Sequence, residues 1–318
     1  MVRRYQAKLN TRLSRLTIKT IVSVSRIFTS IFARSKGYRM KIVCIRPSGT
    51  QKHRFGTLTN CGQLVHLLPD AADWETAVRI ANAGERLEQT FKLDEVELLA
   101  PVPNPQKIIC VGKNYAQHAR EMGSEPPELP VIFNKFPTAL NHPGAAVLLP
   151  EISNSVDYEA ELVVVIGTGG KNIPRSEACR HIAGFCCGND ISARDWQKGK
   201  PGGQWLLGKT FDGFAPIGPW LVTPDEVDFK NLDIQLRLNG QVMQESNTQH
   251  LIFPVDFLIS HISKFFELMP GDLLFTGTPD GVGAGRKPPL FLKAGDEIEV
   301  EIAGLGVLKN SMASSPAV

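Results

Sequence analysis

The chain has 318 residues, 42% hydrophobic and 21% charged, the balance of a globular protein rather than a disordered one. Its net charge of +3 hides an asymmetry: no Asp or Glu precedes Asp70, and ten of the 35 basic residues fall in the first 39 positions. Beyond them 25 basic residues face 32 acidic ones, a net −7 without any recurring basic, aromatic-studded patch, which argues against nucleic acid as a partner.

Residues 1–39 are rich in Arg, Ser and Thr. On a helical wheel Lys8, Arg12, Arg15, Lys19 and Arg26 share one side, and Leu16, Ile21, Val24, Phe28, Ile31 and Phe32 take the other. This composition predicts a mitochondrial transit peptide and a matrix location, with a membrane-surface helix as the alternative. Lys19 and Arg26 interrupt the run of about 20 apolar residues that a stable membrane span needs.

Residues 40–103 read as a small N-terminal module. Lys41–Ile45, Arg54–Leu58 and Leu64–Leu68 alternate as short strands between turn residues. Asp73 then precedes a helix that carries Trp74, Val78 and Ile80 and stops at Gly84. A strand at Val96–Leu99 runs into Pro101-Val102-Pro103-Asn104-Pro105, the expected boundary to a catalytic domain over 104–318.

That domain opens with a strand at Lys107–Val111, followed by Gly112-Lys113-Asn114-Tyr115 and a helix in which His118 and Glu121 are i, i+3 neighbours. A carboxylate beside an imidazole fixes its tautomer and raises its basicity, as a general base requires; the alternative is an incidental polar pair on a surface helix. Ser124 to Pro130 has the composition of a mobile lid.

Val156 to Gly167 reads V-D-Y-E-A-E-L-V-V-V-I-G. One continuous strand would point Asp157, Glu159 and Glu161 at one face, and Val163 and Val165 continue that parity into the core. Converging buried carboxylates repel one another and lose hydration, costs that a hard divalent cation relieves. The alternative is an amphipathic strand with a solvated acidic face. A later strand, Glu297 to Ile302, also puts three acids on one face, but there the apolar residues hold the opposite parity and a solvated face is expected.

An apolar strand through Cys186 and Cys187 ends at Asp190, a further candidate ligand, and Ser192 is placed to cap the helix that follows. Arg194 and Asp195 read equally as an ion pair or as substrate contacts. Lys209 is a lone cation in an apolar, Gly-flanked setting, so it needs an anion, either a local carboxylate or an anionic substrate. The glycines of T-G-T-P-D-G-V-G, from Thr276, bring N–H groups and hydroxyls close to a ligand, without the Lys of a phosphate-binding loop. There is no G-x-S-x-G elbow and no paired C-x-x-C among the six cysteines, which disfavours a serine hydrolase, a zinc cage and a disulfide framework.

The motifs V-G-K-N-Y-A-Q-H-A-R-E-M, D-Y-E-A-E-L, N-D-I-S-A-R-D-W-Q, W-L-L-G-K-T-F-D and T-G-T-P-D-G-V-G, in this order, resemble the fumarylacetoacetate hydrolase superfamily over roughly residues 104–310. The resemblance implies an α+β, β-rich fold: a mixed β-sandwich roll with the small N-terminal module in front, assembling as a homodimer. It implies Mg2+, or alternatively Mn2+ or Ca2+, held by Glu159, Glu161 and Asp190, with Asp157 in support. It places the dyad on His118 and Glu121, a charge-stabilising role on Lys209, and carboxylate binding on Thr276, Gly277 and Thr278. Members that cleave fumarylacetoacetate add a carboxylate ligand upstream of the dyad, whereas Pro101 to Gln117 contains no Asp or Glu, so the chain resembles the smaller members that act on acylpyruvates and oxaloacetate. The implied chemistry is metal-assisted enolisation of a 2-oxo acid. Tautomerisation of oxaloacetate is the first expectation. Acylpyruvate-type C–C hydrolysis or oxaloacetate decarboxylation comes second, and an inactive metal-stabilised scaffold third.

Overall fold

The computed structural model describes residues 41–59, 62–83 and 89–315; the expected leader, Cys61 and the helix stop at Gly84 lie outside them. The fold is α+β and β-rich. Among the described residues one mixed sheet of 12 strands packs against a sheet of five. The large sheet runs Thr90–Lys92, Leu64–Leu67, Arg54–Leu58, Lys41–Pro47, Ala215–Val222, Ile182–Asn189, Ala160–Ile166, Leu273–Phe275, Ile108–Gly112, Val131–Lys135, with Val96–Leu99 and Leu140–Asn141 attached at its middle. Lys41–Pro47 pairs antiparallel with Ala215–Val222, so the first strands continue the sheet of the body. The small sheet runs Gln241–Asn247, Asp233–Leu238, Glu297–Ile302, Gly306–Ser314, Ala146–Leu149.

Ala160–Ile166 is the central strand, and every one of its residues is buried. Leu162, Val164 and Ile166 point into the core shared with the small sheet, where they meet Ile234, Val300 and Leu308. Val163 and Val165 point the other way and pack with Cys186, Phe275 and, further out, the helix Trp74–Ala83. Burial on both faces explains the unbroken apolar run, since each such side chain contributes about 1.5–3 kcal/mol. Asp73 caps the Trp74–Ala83 helix by accepting the Thr76 N–H at 2.7 Å, as its position predicts.

The stretch predicted as one strand from Val156 is broken. Val156–Asp157 pairs with Ser192–Ala193 in a separate two-stranded ribbon, and the central strand begins only at Ala160. At the break, side chains replace the ladder: Asn189 accepts the Glu159 N–H at 2.9 Å and Gln244 accepts the Ala160 N–H at 2.9 Å. Ser192 is therefore a strand residue, its hydroxyl donated to the Asp190 carbonyl, and the helix starts at Arg194 behind Ala193. No helix among the described residues is long and apolar enough to cross a membrane.

Candidate metal centre and active site

The break in the acidic stretch decides which carboxylates converge. Glu161 sits early in the central strand opposite Gly188, Glu159 lies in the gap before it, and Asp190 follows the end of the neighbouring strand. Oxygens of Glu159, Glu161 and Asp190 lie within 4.8 Å of one another and all three residues are buried. Asp157, on the far side of the break, turns away. It accepts the N–H groups of Tyr158 at 2.8 Å, Gly283 at 2.8 Å and Ala284 at 3.0 Å, and pairs with Arg194 Nε at 2.8 Å.

Three cations thread this acidic cluster. Lys209 Nζ bridges Glu159 Oε2 at 2.7 Å and Asp190 Oδ2 at 2.8 Å. Arg194 joins Asp157 to Glu159, with Nη2 2.7 Å from Glu159 Oε1, and its Nη1 reaches Gln197 at 2.9 Å. Lys135, fully buried, meets Asp190 Oδ1 at 2.7 Å and donates to the carbonyls of Ile191, Phe214 and Lys209. Burial alone would raise the Glu159 carboxyl, but Lys209 and Arg194 outweigh it and hold the group well below the usual carboxylate range. For Glu161 burial is reinforced by the charges of Asp190 and Glu159, and its carboxyl is pushed far up. Burial disfavours the Lys209 ammonium too, yet Asp190 and Glu159 prevail and raise it.

Four buried carboxylates thus meet three cations, and among the described residues Glu161 is the one that pairs with none of them. Among the described residues Glu161 receives one hydrogen bond, from the Gly277 N–H at 2.7 Å. An all-oxygen donor set with one carboxylate left unpaired fits a hard divalent cation, whose charge would favour the ionised form of Glu161, and the triad can hold one.

His118 lines the same cleft, and Glu121 lies against its ring. His118 is 6% exposed, and its Nδ1 lies 3.2 Å from Glu121 Oε2. With Nδ1–H donated to that carboxylate, Nε2 carries the lone pair. Glu121 is fixed in turn by the Gly281 N–H at 2.9 Å. Gly285 packs so tightly here that a Cβ would stand 2.4 Å from the Glu121 carboxyl carbon. One cleft is lined by His118, Glu159, Glu161, Lys209, Arg194 and Thr278.

Within the threonine loop the three predicted residues separate. Thr276 is buried and donates its hydroxyl to the Leu162 carbonyl at 2.9 Å, and the Gly277 N–H serves Glu161. Thr278 alone of the three lines the cleft, its hydroxyl accepting from Gln244 Nε2 at 2.8 Å. Gly277 has φ +104°, and a Cβ would come within 2.7 Å of Asn114 Cβ, so both conformation and space require glycine. Asp195 does not pair with Arg194; it binds Ser153 and the Asn154 N–H. Sequence reasoning missed Lys135, Gln197 and Gln244. The one available signal was Lys135 in a strand whose neighbours are apolar.

The Fumarylacetoacetate (FAA) hydrolase C-terminal family matches residues 107–313. The chain belongs to this family. Relatives include a bovine protein named oxaloacetate tautomerase FAHD2A, mitochondrial, 53% identical over 69% of this chain and 70% of its own. A Xenopus laevis protein named oxaloacetate tautomerase fahd2, mitochondrial, is 44% identical over 87% of this chain and 92% of its own. Among solved structures, fumarylacetoacetate hydrolase from Exiguobacterium antarcticum is 33% identical with a TM-score of 0.75, covering 87% of this chain and all of the other. A 5-carboxymethyl-2-hydroxymuconate delta-isomerase from Mycobacterium smegmatis is 34% identical with a TM-score of 0.73 over the same shares. The family thus spans isomerases and hydrolases, and the chain is an enzyme of that kind.

Proposed function

We propose that the chain is a mitochondrial, Mg2+-dependent oxaloacetate tautomerase that interconverts the enol and keto forms. The observation that carries this reading is a cleft lined by His118, Glu159, Glu161 and Lys209, with Glu121 in contact with His118 and Asp190 beside the two glutamates, in a chain whose relatives bear that name. In this reading residues 1–39 target the chain, 40–103 support the sheet, and 104–318 hold the chemistry.

Keto–enol interconversion moves one proton off the C2 oxygen and adds one at C3, with no net consumption. Nε2 of His118 takes or delivers the C3 proton, and the Glu121 carboxylate stabilises the imidazolium formed when it takes one. Lys209 places positive charge beside the oxygen that becomes anionic in the transition state. Thr278 accepts from Gln244 through one lone pair, which leaves its O–H free to donate to a substrate oxygen. A divalent ion held by Glu159, Glu161 and Asp190 would supply Lewis-acid polarisation of the 2-oxo acid.

Mg2+ is favoured over a softer metal by the oxygen-only ligands, with Mn2+ and Ca2+ as the competitors. We also propose a homodimer, consistent with the exposed Leu129, Phe136 and Ile152, to be checked by sedimentation. The enzymatic reading is tested by following ultraviolet decay of enol-oxaloacetate with purified protein and Mg2+. Acceleration is expected, and an unchanged decay rate rejects the assignment. Release of two acid fragments from an acylpyruvate, read by mass spectrometry, would mark C–C hydrolysis instead.

A further inference from the structure

The cleft also carries two cations that form no ion pair within the buried charge network. Lys113 follows the strand Ile108–Gly112, and Lys198 follows the short helix Arg194–Gln197; both line the cleft beside His118 and Lys209. Arg194 and Lys209 are committed to Asp157, Glu159 and Asp190. Lys113 and Lys198 form no ion pair with any carboxylate among the described residues.

Two further observations tie this pair to a ligand. Lys113 holds φ +57°, a left-handed conformation better suited to Gly or Asn, so this cation stands at a position that the backbone disfavours. Lys113, Arg194 and Lys198 line one cleft, and partial burial with the charges of Arg194, Lys113 and Lys209 pushes the Lys198 ammonium down against the opposing pull of Glu159. Neighbouring unpaired ammonium groups on a cleft wall repel each other, and an anion between them removes that cost.

A 2-oxo monoacid has a single carboxylate, adjacent to its keto group and so required at the triad end. It leaves nothing negative for this pair. We propose that Lys113 and Lys198 form the subsite for the distal carboxylate of a 2-oxo dicarboxylate and select the diacid over 2-oxo monoacids. This rests on the tautomerase reading above and adds to it the residues that read the second charge.

The test compares wild type with Lys113→Met, Lys198→Met, the double variant and the two Arg variants, all with Mg2+. Two quantities are read: kinetics on enol-oxaloacetate, and competitive inhibition by oxamate, which carries one carboxylate beside its carbonyl. Each Met variant is expected to lower kcat/KM for oxaloacetate about tenfold, mostly through KM, as loss of one partly solvated charge contact does. The double variant falls further, the Arg variants recover most of the loss, and the oxamate inhibition constant stays within about twofold because its single charge never reaches the pair. Parallel weakening of oxaloacetate and oxamate, or no change in either, overturns the subsite while leaving a wild-type tautomerase intact. A wild type that does not accelerate ketonisation overturns both.

Discussion

His118 and Glu121 meet through a single 3.2 Å contact, and the orientation of the imidazole depends on it. His118→Ala is expected to lower turnover by about 10²–10⁴, the range for a positioned general acid–base, while calorimetry with Mg2+ shows binding retained. Loss of both would move His118 out of the dyad. The threonines should divide in the same way. Thr278→Val removes a cleft hydroxyl and is expected to raise KM about tenfold in steady-state assays. Thr276→Val removes the bond to the Leu162 carbonyl and is expected to cost about 1 kcal/mol in chemical denaturation. The contact of His118 with Glu121 was legible from their i, i+3 spacing on a helix, and the pairing of Lys209 with carboxylates from its being a lone cation among apolar residues. The partners of Lys135 and Gln244 were not legible, since they lie 34 to 84 residues away in sequence and only the fold brings them together.

At the level of elements, the alternation expected for the acidic stretch holds from Glu159 onward, and the expected continuity fails before Ala160. Val163 and Val165 are core residues as the alternation predicts. Nothing local signals that the ladder stops at Tyr158, because the side chains that replace it, Asn189 and Gln244, come from two other strands. The break lets Asp157 hold the glycine turn through Gly283 and Ala284 while Glu159 and Glu161 face the cleft. A second connection is sensitive to pH. His142 Nδ1 accepts the Ala100 N–H at 3.1 Å, and the His142 carbonyl accepts from Asn310, which ties the proline-rich junction to the small sheet. Burial lowers the His142 pKa, so the neutral form is favoured in the fold. Its stabilising contribution is complete above the unfolded value of about 6.5 and declines as pH falls through the lowered folded value. Thermal melts from pH 8 to 5 should show this loss in the native chain. His142→Asn, which keeps an acceptor but cannot titrate, should flatten that part of the profile.

For the whole molecule, an ion that binds only the folded state adds stability by mass action, about 2.7 kcal/mol at one hundred times its dissociation constant. Mg2+ should therefore raise the melting temperature, and Glu159→Gln should abolish both that rise and the activity; a variant that keeps its turnover would remove Glu159 from the metal site. The metal-free protein should nonetheless remain folded, because Lys209 already spans Glu159 and Asp190 as an internal counterion. With the proposed metal dependence, catalytic output and protein abundance would be uncoupled. A fall in free divalent cation in the compartment would silence turnover without exposing the chain to proteolytic clearance, and recovery would need no new synthesis.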